Sequence, residues 1–191
     1  MIDSLLAIDR SLFLFINSLH IEWLNSLMVF FSGGFIWLPL LLIPLWFAFK
    51  NLDRKYFFLF FLFLVLAIIA SDVTSSYIFK NIFNRMRPCR IAELKNLIYD
   101  FGQKCGGKFG FVSSHASNSI ALAVFSLRSL PLRRPIIALL VFLPLIICYS
   151  RIYLGVHYPG DILGGATIGV FWALMMSWCF KRIENSGSKS R

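Results

Sequence analysis

Charged residues are scarce in this chain of 191 residues: Asp, Glu, Lys and Arg make up only 15% of it, and just 9 residues are acidic. A water-soluble domain of this length carries more charge. The few acidic residues form no cluster, and the 4 cysteines and 3 histidines lack the spacing of a metal-ligand set. These shortages exclude an ordinary soluble domain and give no sign of a metal site.

Long apolar runs are what the chain has instead. Hydrophobic residues make up 58% of the sequence, and the runs 57–70, 136–149 and 162–180 contain no charged residue. Such runs approach the length needed to cross the hydrocarbon core of a bilayer. The sequence therefore predicts an all-α, polytopic membrane helical bundle with about five strong transmembrane helices. Residues 5–19 are predicted to add an interfacial helix or a short sixth span.

The expected spans are 23–49 with a break at Gly33-Gly34, then 56–85, 115–130, 136–151 and 162–180. There is no internal repeat and no low-complexity linker, so we expect one membrane domain over 1–183, followed by a polar tail at 184–191. Asp3 and Asp9 occupy the place of a basic leader, which argues against a cleavable signal peptide.

The net charge of +10 suits contact with anionic lipid head groups. Nucleic acid is not an expected partner, because the cations lie in separate loops between apolar helices. The short loops 50–55 and 128–134 and the tail are richer in cations than the opposite face, once three candidate site cations are set aside. The positive-inside rule then places these loops and the C-terminus in the cytoplasm, and the polar excursion 80–115 outside.

Lys80 and Arg87 stand in "KNIFNRMRP", two helical turns apart, so they project from nearly the same side of a helix. They can hold an anion together. Alternatively, both extend to the lipid head groups as ordinary helix-end cations.

The stretch "FVSSHASNS" begins a predicted helix, which Ser113 or Ser114 can cap. Free backbone N–H groups, hydroxyls and the adjacent His115 would form a cradle for a phosphate oxygen. The simpler alternative is a plain N-cap with His115 as an interfacial polar residue.

The stretch "SRIYLGVHYPGDILGG" places Arg151 at the end of one helix, His157 in the following turn and Asp161 four residues later. Asp161 can orient the imidazole and stabilise its positive charge, or it can simply cap the last helix. The three stretches share the external face. Together they supply cations, an amide cradle, two histidines and a carboxylate, the set that phosphoryl transfer requires.

These residues resemble the type 2 phosphatidic acid phosphatase superfamily, membrane-embedded lipid phosphate phosphatases. The family's first motif, K-x6-R-P, is matched by Lys80 to Pro88, and its third, S-R-x5-H-x3-D, by Ser150 to Asp161. The second motif is usually P-S-G-H and here reads V-S-S-H, so Ser114 replaces glycine and Val112 replaces proline. A bulkier residue at 114 lies where the backbone approaches the phosphate closely.

The resemblance implies that His157 is the nucleophile, Asp161 orients it, and His115 is the general acid and base. It further implies that the phosphate is held by Lys80, Arg87, Ser113, Ser114 and Arg151. It implies no metal ion and no other cofactor, since the cations already neutralise the transferred group.

Two further features belong to the predicted site region. Cys89 and Cys105 bracket the external excursion and are predicted to form a disulfide if that face is oxidising. Asp72 lies inside a membrane helix, where it is expected to pair with a site cation or with a polar neighbour such as Thr74.

The expected activity is metal-independent hydrolysis of a terminal phosphate from a membrane lipid, at the periplasmic face of a bacterial inner membrane. Candidate substrates are undecaprenyl pyrophosphate, phosphatidylglycerol phosphate, phosphatidic acid and the 1-phosphate of lipid A. The alternatives are a lipid phosphotransferase on the same scaffold and a non-catalytic lipid-binding or transport protein.

Overall fold

The computed structural model describes residues 2–99 and 105–188, which form helices joined by loops. The helices in chain order are α1 (Ile2–Ser18), α2 (Glu22–Ser32), α3 (Trp37–Asn51), α4 (Arg54–Val73), α5 (Lys80–Phe83), α6 (Ser114–Ser129), α7 (Arg134–Tyr153) and α8 (Pro159–Ser188). A π-helical segment, Thr74–Phe79, joins α4 to α5, so that Arg54–Phe83 forms one continuous rod.

Within residues 2–99 and 105–188, three helices are long and apolar enough to cross a membrane: Arg54–Phe83, Arg134–Tyr153 and Pro159–Gly187. A fourth span is possible if α1 and α2, which meet at a bend of 119°, count as one. The prediction of an all-α, polytopic membrane bundle is confirmed. The span expected at 23–49 is broken into α2 and α3. The helix expected at 115–130 is present as α6, which at 16 residues is shorter than the three long apolar helices.

The helix α6 occupies the centre of the bundle, in contact with α3, α4, α7 and α8. Its contact with α8 is a backbone contact, because a Cβ added at Gly165 or Gly169 would collide with the carbonyls of Ser113 and Ser117. Small residues allow such close approach between membrane helices. Since neighbouring helices cover α6, it needs less apolar surface than a lipid-facing span.

Two buried clusters fix the ends of the bundle. At one end the rings of Phe60, Phe125 and Phe180 pack with centroids 5.2–6.3 Å apart. At the other end Phe13 of α1 is fully buried, 5.2 Å from the ring of Tyr158 beside α8. Full burial of one such ring stabilises a fold by roughly 1.5–3 kcal/mol. The N-terminal helix, expected as an interfacial helix or a short sixth span, thus packs against α7 and α8.

Two boundaries differ from the sequence-based expectation. The rod containing α4 and α5 ends at Phe83 rather than near 85, because Asn84 adopts a left-handed conformation (φ +48°) that stops the helix before Pro88. Residues 184–188, expected to begin the polar tail, continue α8 instead. The remainder of the expected tail, 189–191, lies outside the described residues.

Candidate active site

Four helix ends meet at one end of the bundle: the end of α5, the start of α6, the end of α7 and the start of α8. They carry or adjoin all the predicted site residues, namely Lys80, Arg87, Ser113, Ser114, His115, Arg151, His157 and Asp161. The charges of Arg87, Arg151 and Lys80 all act on the imidazole of His157. The two imidazoles, of His115 and His157, are likewise close enough to interact electrostatically. The structure therefore brings the predicted groups into one cluster.

His157 and Asp161 form a buried pair at the start of α8. Nδ1 of His157 lies 3.3 Å from Oδ2 of Asp161, and the two side chains are 1% and 0% exposed. The backbone of Gly110 also forms a hydrogen bond with the imidazole. It lies close to the same carboxylate, since a Cβ added at Gly110 would be 2.9 Å from Oδ2 of Asp161. With Nδ1 turned towards Asp161, Nε2 is the ring nitrogen that can present a lone pair.

The electrostatic surroundings favour a neutral His157. Burial lowers the pKa of the His157 imidazole well below its ordinary value, and it is the largest cause. The positive charges of Arg87 and Arg151 lower this pKa further, followed by the charge of Lys80. A neutral imidazole is the form that can act as a nucleophile.

The N-terminus of α6 is capped by Ser113, whose Oγ accepts the N–H of Ala116 at 3.5 Å. The backbone N–H of Ser113 donates to the Asp161 carbonyl at 2.9 Å, which ties the cap to α8. Ser114 and His115 are the first residues of α6, so their N–H groups have no acceptor within the helix. Such amides, together with the helix dipole, favour an anion.

Lys80 is linked to the membrane-embedded Asp72 through two hydroxyls. Nζ of Lys80 donates to Oγ of Ser114 at 2.8 Å, and Ser114 lies 2.8 Å from Oγ of Ser76. Ser76 in turn donates to Asp72 Oδ1 at 3.4 Å. Because Ser114 already accepts from an ammonium group, its own hydrogen is free to point at Ser76. The chain thus runs in one donor direction, from the cation to the carboxylate.

The side-chain amide of Asn118 also donates to Oδ1 of Asp72, at 2.8 Å. Of the two expected kinds of partner for Asp72, the structure shows polar neighbours, but they are Ser76 and Asn118 rather than Thr74. The Thr74 hydroxyl donates to the Ala70 carbonyl and accepts from the indole of Trp172. The π-helical turn places Ser75 and Ser76 towards α6, where Ser75 meets the Ser117 hydroxyl at 3.1 Å.

Arg87 is positioned by the excursion that follows α5. Its Nε donates to the Phe109 carbonyl at 3.1 Å, and its Nη1 donates to the Cys105 carbonyl at 3.2 Å. Cys105 forms a disulfide with Cys89, with 6.0 Å between the Cα atoms. The disulfide therefore anchors the loop whose carbonyls hold this guanidinium.

Arg151 reaches the site from the last turn of α7. Its Nη1 donates to the Ser32 hydroxyl at the end of α2. Its Nε is buried and has no hydrogen-bond partner within the described residues. An unpaired buried N–H is costly, so it is a natural donor for an anion in the site.

The ring of His115 packs edge-to-face against the indole of Trp37, with 5.9 Å between the ring centroids. Trp37 begins α3, just after the break that follows α2. The indole thus forms one wall beside the second imidazole, and it comes from a helix whose sequence carries no motif residue.

Two polar residues at the site were not singled out by the sequence analysis: Asp9 and Arg85. Nη1 of Arg85 lies 3.0 Å from Oδ1 of Asp161, and Nη2 lies 2.7 Å from Oδ2 of Asp9. The one available signal was the Asp9-Arg10 pair, which interrupts an otherwise apolar helix. The partner of that acid could not be read from the sequence, because 76 residues separate Asp9 from Arg85.

The arrangement suits transfer of a phosphoryl group. Three cations and two helix-terminal amides surround a neutral imidazole with a carboxylate behind it, and a second imidazole can carry a proton. Over 2–99 and 105–188, no three His, Cys, Asp or Glu side chains are grouped as metal ligands. Metal independence stays a prediction.

The amino-acid sequence of this chain is similar to those of known phosphatases. A family model described as the PAP2 superfamily matches residues 60–184. A lipid A 4'-phosphatase of Bacteroides thetaiotaomicron is 35% identical over 172 residues, which cover 90% of this chain and 76% of the relative. An undecaprenyl-diphosphatase of Sulfolobus acidocaldarius is 29% identical over 95% of this chain and 81% of its own length.

A solved structure gives the same picture at the level of the fold. The crystal structure of Aquifex aeolicus LpxE superposes with a TM-score of 0.65 and 26% sequence identity. The match covers 87% of this chain and 93% of that chain.

Proposed function

The chain belongs to the PAP2 superfamily and is a membrane-embedded phosphatase, and on this premise we propose that it hydrolyses a lipid phosphate through a phosphohistidine intermediate at His157. The observation that carries this mechanism is the buried His157–Asp161 pair, with Nδ1 on the carboxylate and three cations around the ring. Binding alone would not need a second histidine beside the first.

In the first step, the lone pair on Nε2 of His157 attacks phosphorus, and the bond from phosphorus to the lipid oxygen breaks. His115 gives its proton to the departing oxygen, so that the lipid leaves as an alcohol or a shorter phosphate. The imidazole of His157 becomes positive, and Asp161 stabilises that charge through Nδ1. Lys80, Arg87 and Arg151 neutralise the phosphate oxygens.

In the second step, a water molecule attacks the phosphohistidine. His115, now neutral, accepts a proton from that water, and the phosphorus–nitrogen bond breaks. His157 recovers its lone pair and inorganic phosphate leaves. The protonated His115 is then ready for the next lipid, so the cycle consumes one water and needs no further reactant.

The proposed substrate is a membrane lipid whose terminal phosphate is attached to a sugar or to the end of the lipid chain. The names of the relatives support two classes: the 4'-phosphate of lipid A and undecaprenyl diphosphate. We favour a lipid A-type phosphate monoester, because the relative with that name is 35% identical against 29% for the other. The 1-phosphate of lipid A, phosphatidic acid and phosphatidylglycerol phosphate are the remaining candidates.

The proposed location of the site is the external, periplasmic face of a bacterial inner membrane, with the C-terminal end of α8 in the cytoplasm. Two features support this orientation. The loops and the C-terminal tail at the opposite end of the bundle carry more cations than the site face, once Lys80, Arg87 and Arg151 are set aside as site residues. The excursion beside the site contains the Cys89–Cys105 disulfide, which forms and persists in oxidising compartments.

A phosphate-release screen in detergent or vesicles, with EDTA present, tests the proposal. The arms are bis-phosphorylated lipid A, undecaprenyl diphosphate, phosphatidylglycerol phosphate and phosphatidic acid. Mass spectrometry of lipid A then shows whether the 1- or the 4'-phosphate is lost. We expect inorganic phosphate from at least one arm. Failure in every arm, or transfer of the phosphate to another lipid without release, would reject hydrolysis.

Removing the Ser114 hydroxyl should weaken the site moderately. We expect Ser114→Ala to reduce kcat/KM by about 3- to 10-fold, which corresponds to the net loss of one hydrogen bond. The reason is that Lys80 loses its tie to Ser76 and Asp72. Steady-state kinetics on the best lipid from the screen measure it. Ser126→Ala is the control, because its hydroxyl donates to the Leu122 carbonyl of its own helix. Equal kinetics for both variants would show that the chain to Asp72 has no role.

The pH dependence should reflect the low pKa of His157. The neutral imidazole is present above this lowered pKa and is lost as pH falls through it, so His157 should not limit kcat/KM near pH 6.5. Removing the cation in Arg151→Gln should move the acid limb to higher pH by about 1 unit. The pH profile of kcat/KM for both proteins on one lipid checks this, since the substrate's own ionisation is then common to both. An unmoved or acid-shifted limb would contradict it.

A further inference from the structure

A second polar chain runs from the nucleophile to the N-terminal helix, and the mechanism above uses only its first link, between His157 and Asp161. Its members are His157, Asp161, Arg85 and Asp9. The links measure 3.3 Å from His157 to Asp161, 3.0 Å from Asp161 to Arg85 and 2.7 Å from Arg85 to Asp9. Arg85 occupies one of the unspecified positions inside the first motif, between Lys80 and Arg87, and Asp9 belongs to α1.

Both oxygens of the Asp161 carboxylate are occupied by this arrangement. Oδ2 faces Nδ1 of His157 and accepts the N–H of Tyr158 at 3.0 Å, while Oδ1 accepts from Arg85. A carboxylate held at both oxygens cannot rotate away from the imidazole. Since Asp161 is fully buried, its negative charge also needs the neighbouring guanidinium.

Arg85 is itself held from two sides. Its guanidinium lies over the ring of Tyr158 at 4.1 Å, and Nη2 reaches Asp9. The other oxygen of Asp9 accepts the N–H of Gly160 at 2.7 Å, in the first turn of α8. Asp9 thus fixes both Arg85 and the beginning of the helix that carries Asp161.

The helix that supplies Asp9 is firmly seated. Phe13 packs on Tyr158 with 0% exposure. The Asn17 side chain, 1% exposed, donates to the Tyr153 carbonyl at 2.8 Å and accepts the N–H of Tyr99 at 2.9 Å. Because these contacts hold α1 in place, α1 can keep Asp9, and through it Arg85, in a fixed position at the site.

We propose that Arg85 is a positioning residue for the phosphatase reaction: it holds Asp161 against His157, and Asp9 supports it from α1. The inference rests on the proposed function, because it assigns a role within the same site. During phosphohistidine formation the imidazole becomes positive and depends on an ionised, aligned Asp161. Arg85 keeps that carboxylate ionised and aligned.

The variants Arg85→Gln, Arg85→Lys and Asp9→Asn test this role. We expect Arg85→Gln to lower kcat roughly 10- to 100-fold with KM changed less than about 3-fold, similar to losing an outer-shell partner of a functional histidine. Arg85→Lys should recover part of the rate, because it restores the charge but not both contacts. Asp9→Asn should lower kcat by a smaller factor, and the double variant should be no worse than Arg85→Gln alone.

The matched control is Arg10→Gln, which removes an exposed cation next to Asp9 and should leave kcat unchanged. Chemical rescue separates positioning from folding: millimolar guanidinium should raise the rate of Arg85→Ala, while sodium chloride at the same concentration should not. If the Arg85 variants do not fold, the kcat of Asp9→Asn still tests the inference. An unchanged kcat in both Arg85→Gln and Asp9→Asn, or a loss confined to KM, would overturn the inference.

The same assay distinguishes this failure from failure of the proposed function. If His157→Ala abolishes phosphate release while Arg85→Gln leaves it intact, only the role of Arg85 is rejected. If wild type and His157→Ala release phosphate equally, the assignment of the nucleophile is rejected, and the role of Arg85 with it.

Discussion

His157→Ala is expected to reduce phosphate release by at least about 10⁴-fold, since removing a nucleophile from a covalent mechanism removes the reaction path itself. The rest of the site should still bind the lipid phosphate, because the cations and the start of α6 do not depend on this side chain. The loss should therefore appear in kcat rather than in KM. Phosphate release from the preferred lipid, measured against time and enzyme concentration, gives the number.

The chain offers a matched control in its remaining histidine outside the site. His20 stacks on Tyr99 with ring centroids 4.0 Å apart, beyond the end of α1. His20→Ala removes the same ring from the same protein and should keep a rate within about 2-fold of wild type, as expected for a substitution outside the site. A His157→Ala variant as active as His20→Ala would mean that the reaction uses another nucleophile.

Arg151→Gln is expected to have the second largest effect, a loss of roughly 10²–10³-fold in kcat/KM, the range for removing one preorganised donor to a transition-state charge. Its buried Nε has no partner in the part of the chain described, so its hydrogen bond is available to the phosphate. The charge it carries also helps to keep His157 neutral. Steady-state kinetics on the preferred lipid measure the loss of rate. Inhibition by inorganic phosphate, measured in parallel, reports the loss of phosphate binding.

Arg134→Gln provides the comparison for this loss. Arg134 begins the same helix, α7, at the end opposite to Arg151, and it is exposed. Its replacement should leave kcat/KM close to wild type. If the two arginine variants lose activity equally, the effect belongs to α7 as a whole and not to a phosphate contact.

The fold was largely predictable from hydropathy, because lipid exposure demands long apolar helices. The rods at 54–83, 134–153 and 159–187 follow directly from charge-free runs. The helix expected at 115–130 is present as α6 (Ser114–Ser129), although contact with four other helices replaces lipid around it and allows serines along its length. The continuation of α8 through 184–188 was missed because polar residues there suggested a tail.

The candidate site was predictable where its residues lie in short motifs with fixed spacing. The spacing of Lys80 and Arg87, and of His157 and Asp161, is local and can be read from the sequence. Asp9 and Arg85 were missed for the opposite reason, because their ion pair exists only once α1 packs against α8. The partners of Asp72 likewise depend on how the π-helical turn meets α6.

The most direct test is to find which atom receives the phosphoryl group. A His115→Ala variant treated with p-nitrophenyl phosphate, whose leaving group departs without a proton, should complete the first step and stall before water attack. Quenching at alkaline pH followed by mass spectrometry should then show phosphate on the peptide containing His157, and no such label in His115→Ala/His157→Ala. Phosphate on a different side chain, or turnover with no labelled enzyme at any time point, would contradict the account.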